Sequence, residues 1–560
     1  MHNIILILLL LATASFARVT PLVEHEKPHS LWQHRPLEHR GFVTHFDEHL
    51  NQRINTDQSG EIQNEEQACI NPLDPDNMVA VWRDFRFGYR RIGVGYTLDG
   101  GETWTDALFP QMYYPWQSDP VLVVDHNGVF TANVISFEPS GVDDNGLLSI
   151  SSYDGGVTWR DSVWAVRTTN QSSFEDKQMM AIDNSPDSPH QGTFYIAWTR
   201  FFQAGGSFDS TQIELVYKRP DSAYSAPIQI STDRSVQWAN VATGPNGEVY
   251  VTWVSYRNDG VMFSRSLDGG LTWAEEDFLF ETAFANADIS PTLLVFSYMV
   301  MAVDNSDGPL RGRIHALYTD ASSNLDHTEV YYINSDNQGD SWSPRVLIDD
   351  ETESYPVDQF HPWISVDEVG RVWCAWYDRR NDPNNLLMDV YFTVSDDGGA
   401  TWLPNERITE VSCNPGTGTL DAGLIGEYIG WHAQHDKAVC VWTDTRLGDQ
   451  DAFAAVIDSV FVPDAVDERF ITHHSSFIIS AAFPNPFNGT TTLSYTLTKI
   501  SPVELTVFNT LGQSVLTKSL GQQTSGEHTL SLELTQPSGV YFAKLSAGNE
   551  SAIAKLMLMR

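Results

Sequence analysis

The residues best suited to chemistry fall into two groups. The first is a recurring pattern, Trp-x-Asp-x-Arg, complete in Trp82-Arg83-Asp84-Phe85-Arg86, Trp376-Tyr377-Asp378-Arg379-Arg380 and Trp442-Thr443-Asp444-Thr445-Arg446. Trp253-Val254-Ser255-Tyr256-Arg257 keeps its Trp and Arg257 only. Guanidinium groups are planar and permanently charged, so several converging on one point would clamp a carboxylate through paired hydrogen bonds. The same spacing would serve equally well to brace strand ends, and repetition favours the brace, because catalysis normally breaks symmetry. The second group does break the repeat: Gly426-Glu427-Tyr428, Phe174-Glu175-Asp176-Lys177, Asp119 and His361. Carboxylates and a phenol supply nucleophile, acid and base. Glu427 and Tyr428, if they lie on a strand, point to opposite faces, so only one reaches a given site. No metal-ligand spacing, phosphate loop or Ser-His-Asp set stands out, and no cofactor is expected. Asp74-Pro75-Asp76 reads as a solvated turn as readily as a weak calcium site.

An eight-residue turn organises the elements that must position these residues. Ser266-Leu267-Asp268-Gly269-Gly270-Leu271-Thr272-Trp273 recurs as Thr97 to Trp104, Ser152 to Trp159, Ser335 to Trp342 and Ser395 to Trp402. Each copy follows an alternating run such as Val390 to Val394, which marks it as a hairpin connection. The Asp or Asn accepts hydrogen bonds from the turn, glycine supplies positive φ, and the Trp offers a large apolar plate. Around it a longer unit repeats from about residue 65: an apolar strand, a turn, the Trp-x-Asp-x-Arg strand, a variable loop, a third strand and the octapeptide. Seven middle strands are counted, at Trp82, Val134, Trp198, Trp253, Tyr318, Trp376 and Trp442. The third unit has a decayed octapeptide at 218–224, and the seventh ends at Phe461 without one.

The octapeptide resembles the Asp-box, or bacterial neuraminidase repeat, of sialidase-type β-propellers. The resemblance implies an all-β fold, a six- or seven-bladed β-propeller with seven favoured by the unit count. It places the octapeptides on the face opposite the active site. It also implies an arginine triad for a substrate carboxylate (Arg86, Arg380 and Arg446), a Tyr nucleophile assisted by Glu (Tyr428, Glu427) and an Asp acid/base. Asp84 belongs to that catalytic set, with Asp119, Asp176, Arg257 and His361 as substrate-binding candidates. One departure is clear: the Arg-Ile-Pro motif ahead of the first Asp box is replaced by Ala68-Cys69-Ile70-Asn71-Pro72. Two functions follow, a surface propeller binding extracellular glycans or glycoproteins, or an exo-glycosidase of sialidase type.

The remaining segments set the location. Ile4 to Leu11 and Ser15-Phe16-Ala17 read as a signal peptide over 1–17, followed by a polar leader over 18–64 with six histidines. The propeller spans 65–461 and a linker 462–476. Over 477–560 the chain becomes alternating, with Leu493, Tyr495 and Leu497 on one face and Val503, Leu505 and Val507 on another. This predicts a small immunoglobulin-like β-sandwich. With its Phe483-Pro484-Asn485-Pro486-Phe487-Asn488 opening, Asn509-Thr510-Leu511-Gly512 centre and Lys555 to Arg560 end, it resembles the C-terminal sorting domain of the type IX secretion system. That machinery is the implied partner, and a secreted or cell-surface location is implied. The net charge of −40, from 33 basic and 73 acidic residues, disfavours nucleic acid and anionic membrane surfaces as partners. No transmembrane segment is expected in the mature chain. Four cysteines are too few for a disulfide scaffold; Cys374 and Cys440, each two residues before a Trp, read as buried apolar positions.

Overall fold

The computed structural model describes residues 43–46, 50–110, 112–139, 144–169, 172–204, 207–282, 286–289, 293–322, 326–351, 356–417, 424–461, 478–479, 485, 487–497, 499–509, 514–547 and 550–559. The expected signal peptide, most of the leader and the linker lie outside them. Every regular element among the described residues is a β-strand. The chain divides into two compact units, Phe46–Ser459 and Val460–Arg560.

The larger unit is a propeller-like ring of antiparallel sheets. Their first strands are Gln63–Asn71, Trp116–Val124, Ser173–Ile182, Val236–Thr243, Met299–Val303, Gln359–Val366 and Gly430–Gln434. Each first strand packs on the next, and the last packs on the first, so the seven close a ring. The Trp of five middle strands is buried where the sequence placed it: Trp82, Trp198, Trp253, Trp376 and Trp442 are all among the largest buried side chains. The four cysteines are free and buried. In the seventh sheet Gln52–Arg53 pairs with Asp451–Phe461 from the other end of the unit. Arg53 Nε donates to Asp451 Oδ1 at 2.8 Å, and Asn55 donates to the same oxygen at 2.9 Å. The end of the expected leader is thus structural: it closes the ring.

Each octapeptide joins the third and fourth strands of its sheet. In the fourth sheet, Thr272 N and Oγ1 donate to the Asp268 carboxylate at 2.8 and 2.6 Å, and Gly270 N donates to Ser266 Oγ at 2.8 Å. The same contacts recur around Asp99, Asp154 and Asp397. The second glycine has a further role. A Cβ on Gly399 would lie 2.1 Å from the Tyr332 hydroxyl, and one on Gly101 2.5 Å from Val456, each in the preceding sheet. The turn is therefore also a joint between sheets, which explains why glycine holds that position in every copy.

The smaller unit has two antiparallel sheets, Ile478–Ile479, Thr490–Leu497 and Gly526–Glu533 in one and Ser501–Asn509, Ser514–Gln523, Gly539–Ala547 and Glu550–Leu558 in the other. Leu493, Tyr495, Leu497, Val503, Leu505 and Val507 share one core, as their alternation predicts.

Gly399→Ala combines positive φ (+89°) with that collision and should cost about 2–4 kcal/mol of stability. Gly448→Ala, at φ +108° with nothing within 4 Å, should cost only about 1 kcal/mol. Chemical denaturation of the two variants compares them directly.

Candidate functional site

The first strand of each sheet carries one equivalent residue close to the ring axis, and the register shows how it gets there. Extra residues interrupt pairing between Asn64 and Gln67, Ser118 and Val121, Asp176 and Met179, Gln237 and Asn240, and Phe360 and Trp363. At these five bulges the first extra residue is left-handed: Glu65 (φ 62°), Asp119 (49°), Lys177 (52°), Trp238 (65°) and His361 (47°). Tyr298 and Tyr428 hold the equivalent register in the fifth and seventh sheets, just ahead of their strands. The bulge is a repeated device, but the residues that it presents are Glu, Asp, Lys, Trp, Tyr, His and Tyr. Symmetry is kept in the backbone and lost in the side chains.

These side chains meet. Lys177 Nζ lies 3.0 Å from Asp119 Oδ2, 2.9 Å from Glu427 Oε1 and 3.9 Å from Glu65 Oε1. Arg83 Nη1 is 2.8 Å from Glu65 Oε1. The Lys177 ammonium sits 5.4 Å from the centre of the Trp238 ring, which stacks on Phe296 and Tyr298. Tyr298 Oη donates to the Glu427 carbonyl at 2.5 Å. His361 stacks against Phe296 and Tyr298, and neither of its ring nitrogens has a hydrogen-bond partner among the described residues. A cavity of about 140 Å³ is lined by residues of the first strands, including Gln67, Met179, Asn240, Trp363 and His432.

The charges divide unequally. Burial raises Glu65 well above the usual carboxylate range, against the pull of Arg83. Burial acts the same way on Asp119 and Glu427, but Lys177 outweighs it and holds both below their ordinary values. Asp176, half-buried beside them, is pushed up to about 7 by burial and by the Asp119 charge. Burial lowers His361 to about 4, so its imidazole is neutral. Burial also raises Tyr428 and Tyr298 well above a normal phenol. The site thus sets Asp119 and Glu427, held below the ordinary carboxylate range, beside Glu65 and Asp176, pushed above it.

Of the residues singled out in the sequence, Asp119, Asp176, His361, Glu427 and Tyr428 come together here. The expectation that Glu427 and Tyr428 diverge is corrected: they precede Gly430–Gln434 rather than lying in it, after Gly426 at φ 93°, so strand alternation does not apply. Glu427 meets Lys177, and Tyr428 lines a small cavity with Lys177, Trp238 and Tyr298.

Each repeat arginine is held by a carboxylate of its own unit. Trp82 Nε1 donates to Asp84 at 2.9 Å, and Arg86 pairs with Asp84 at 2.7 Å and with Asp106 at 2.8 Å. Trp376, Asp378 and Arg380 repeat the clasp, with Asp350 as the outer partner. Trp442, Asp444 and Arg446 do so again, with Asn51. Each guanidinium is tied to the Asp two residues before it, the bracing arrangement that repetition favours over a triad of Arg86, Arg380 and Arg446 and over a catalytic role for Asp84. The third sheet makes the same clasp with Glu175, Trp198 and Arg200. Arg257 is largely exposed and pairs with Asp233.

Sequence reasoning missed Glu65, Arg83, Trp238 and Tyr298 as site members, and named Lys177 only as the end of Phe174-Glu175-Asp176-Lys177. The available signal was alignment of the first strands: the residue two before the one facing the middle-strand position ahead of the Trp is the axial one. Among the described residues no group of three or more His, Cys, Asp or Glu is arranged to hold a metal ion.

Residues 481–559 match the family described as the secretion system C-terminal sorting domain, the type IX tail that the sequence suggested. The protein is secreted or attached to the outer cell surface. No helix among the described residues is long and apolar enough to cross a membrane. No curated protein matches the chain. Among solved structures it is similar to a Dyadobacter fermentans protein of unknown function, at 14% identity and TM-score 0.42, over 74% of this chain and 99% of that one. It is also similar to the Hadza microbial sialidase Hz136 (12%, TM-score 0.40, 66% and 74%). A third is the GH93 α-L-arabinofuranosidase of Fusarium graminearum (10%, TM-score 0.41, 74% and 98%).

Glu66, next to the site, is buried and accepts from Thr443 Oγ1 at 2.9 Å; burial raises it from 4.5 to about 8. Folding therefore retains a proton that the unfolded chain releases, and this carboxyl removes up to about 1.4 kcal/mol of stability per pH unit as pH rises between those values. In thermal melts from pH 5 to 8, Glu66→Gln should lose stability less steeply than the wild type.

Proposed function

We propose that this exported protein is a seven-bladed, sialidase-like Asp-box propeller that hydrolyses neutral extracellular glycans at the axial cluster. The observation that carries the reading is the loss of symmetry at the seven equivalent axial positions. A ring built only for stability has no reason to place carboxylates, a lysine, an imidazole and aromatic rings at one repeated register position. The seven sheets and the shared hydrogen bonding of the octapeptides support the architecture.

Asp176 and Asp119 are neighbouring carboxyl groups whose environments push them in opposite directions, the pattern expected of an acid and an anionic partner. In this reading Asp176, half-buried and therefore reachable, donates its proton to the leaving glycosidic oxygen. Asp119, kept ionised by Lys177, stabilises or attacks the developing cationic anomeric carbon. Glu427 shares Lys177 and keeps it in place. A Tyr nucleophile is disfavoured, because Tyr428 holds its proton more tightly than a free phenol. A sialic acid substrate is disfavoured too. Lys177 and Arg83 are already paired with carboxylates, and the three repeat arginines are held in clasps. The alternative, a non-catalytic glycan-binding propeller, is favoured by the deep burial of Glu65, Asp119 and Glu427.

A panel of fluorogenic aryl glycosides tests this. Turnover is expected with a neutral sugar and not with the sialoside, falling by roughly 10²–10⁴-fold in Asp176→Asn and Asp119→Asn. The rate should decline above pH 7 as Asp176 loses its proton. Arg380→Ala should instead lower stability by about 3 kcal/mol with little change in rate at a temperature where it is folded. No turnover by folded protein would leave the binding reading; sialoside turnover lost in Arg380→Ala would restore the clamp.

A further inference from the structure

At the rim of the second sheet, an exposed aromatic plate has no part in the fold's core or in the axial cluster. Tyr113 lies in the connection from Thr105–Leu108 to Trp116–Val124 and is 59% exposed. Its ring is fixed from several sides. Tyr114 meets it at 4.8 Å and 80°, and Trp164 at 5.6 Å and 69°. The Arg167 guanidinium lies 4.4 Å from its centre. Arg167 is itself oriented, donating to Tyr114 Oη at 2.9 Å and to Asp144 Oδ2 at 3.1 Å. The plate is thus rigid before anything binds, and its ion pair is locally neutral.

Register places this plate at the same end of the ring as the cluster. Trp116 pairs with Phe137, Phe137 with Asn145 and Asn145 with Thr168, one row across the sheet at the end away from the octapeptide. Asp119 is three residues along from Trp116. At the same end of the first sheet, the turn after Asp84 presents Phe87, 43% exposed.

We propose that Tyr113, backed by Trp164 and Arg167, is a docking site for one neutral pyranose unit of a glycan chain whose other end reaches the axial cluster. This rests on the proposed function for its second half only. A pyranose has a face of C–H groups that packs on an exposed ring, and a rim of hydroxyls suited to the Arg167–Asp144 pair. Pre-ordering of the ring removes the entropy cost that a free tyrosine would carry. An anionic polymer is disfavoured, because Asp144 neutralises Arg167 and the chain carries −40 overall.

The test is affinity electrophoresis of the exported protein through gels containing soluble β-glucan, xylan, arabinogalactan or polygalacturonate. Retardation is expected in at least one of the first three. Tyr113→Ala should weaken it about fivefold to tenfold, while Tyr113→Phe retains it and both variants melt like the wild type. Turnover of a small aryl glycoside should be unchanged in Tyr113→Ala, whereas turnover of the retarding polymer falls through a higher KM. The electrophoresis decides the docking site even where no glycoside is cleaved. Equal retardation of wild type and Tyr113→Ala, retardation by polygalacturonate alone, or none in any gel would overturn the proposal.

Discussion

Most of what lies near the axis follows from one backbone device, the bulge in the first strand of five of the seven sheets. Seven strands converging on an axis leave room for very few side chains, and a regular strand would alternate them between the axis and the next sheet. The extra residue, held left-handed, lets one side chain turn inward at a fixed depth while the rest of the strand still pairs. Non-glycine residues at positive φ are strained by about 1–3 kcal/mol each. The strain is tolerated because pairing on both sides of the bulge and packing on two neighbouring sheets over-determine the conformation.

Once the backbone has set the depth, electrostatics decides what the cluster is. Lys177 reaches Asp119, Glu427 and, at longer range, Glu65, and Arg83 reaches Glu65. Too few cations are present to keep every buried carboxyl ionised, since an uncompensated charge away from water costs several kcal/mol. The carboxyl groups nearest the ammonium are held below their ordinary range and the others are pushed above it. An acid and an anion side by side therefore arise from counting charges in a confined space, with no residue specialised in isolation.

The architecture was legible in the sequence to a large degree, because it is written in repeated residues. The octapeptides marked the hairpins, the buried tryptophans marked the middle strands, and alternation marked the core of the C-terminal unit. The site was only half legible. Asp119, Asp176, His361, Glu427 and Tyr428 stood out by breaking the repeat, with Lys177 in their company, but Glu65, Trp238 and Tyr298 did not. A bulge has no composition of its own, so nothing in Glu65-Glu66 or Lys177-Gln178 announces that one residue of the pair turns to the axis. For the same reason strand alternation separated Glu427 from Tyr428, whereas the irregular segment after Gly426 brings both to the cluster. The closing strand Gln52–Arg53 was equally silent, since two polar residues carry no periodicity.

The arginines show why repetition is the safer guide to role than residue type. A guanidinium suits a substrate carboxylate and a structural carboxylate equally well, and chemistry alone cannot separate the two. In this ring each Trp-x-Asp-x-Arg places its own carboxylate two residues before its own guanidinium, with an indole N–H on the same oxygen as at Asp84 Oδ2. The clasp is satisfied within a single sheet wherever it occurs, so it can recur without reference to the axis. In the third sheet, where no Asp follows Trp198, Glu175 reaches across from the neighbouring strand to complete the same arrangement. A demand met by a different residue when the usual one is missing is a demand of the fold, and the residues left for chemistry are those whose identity the fold does not dictate.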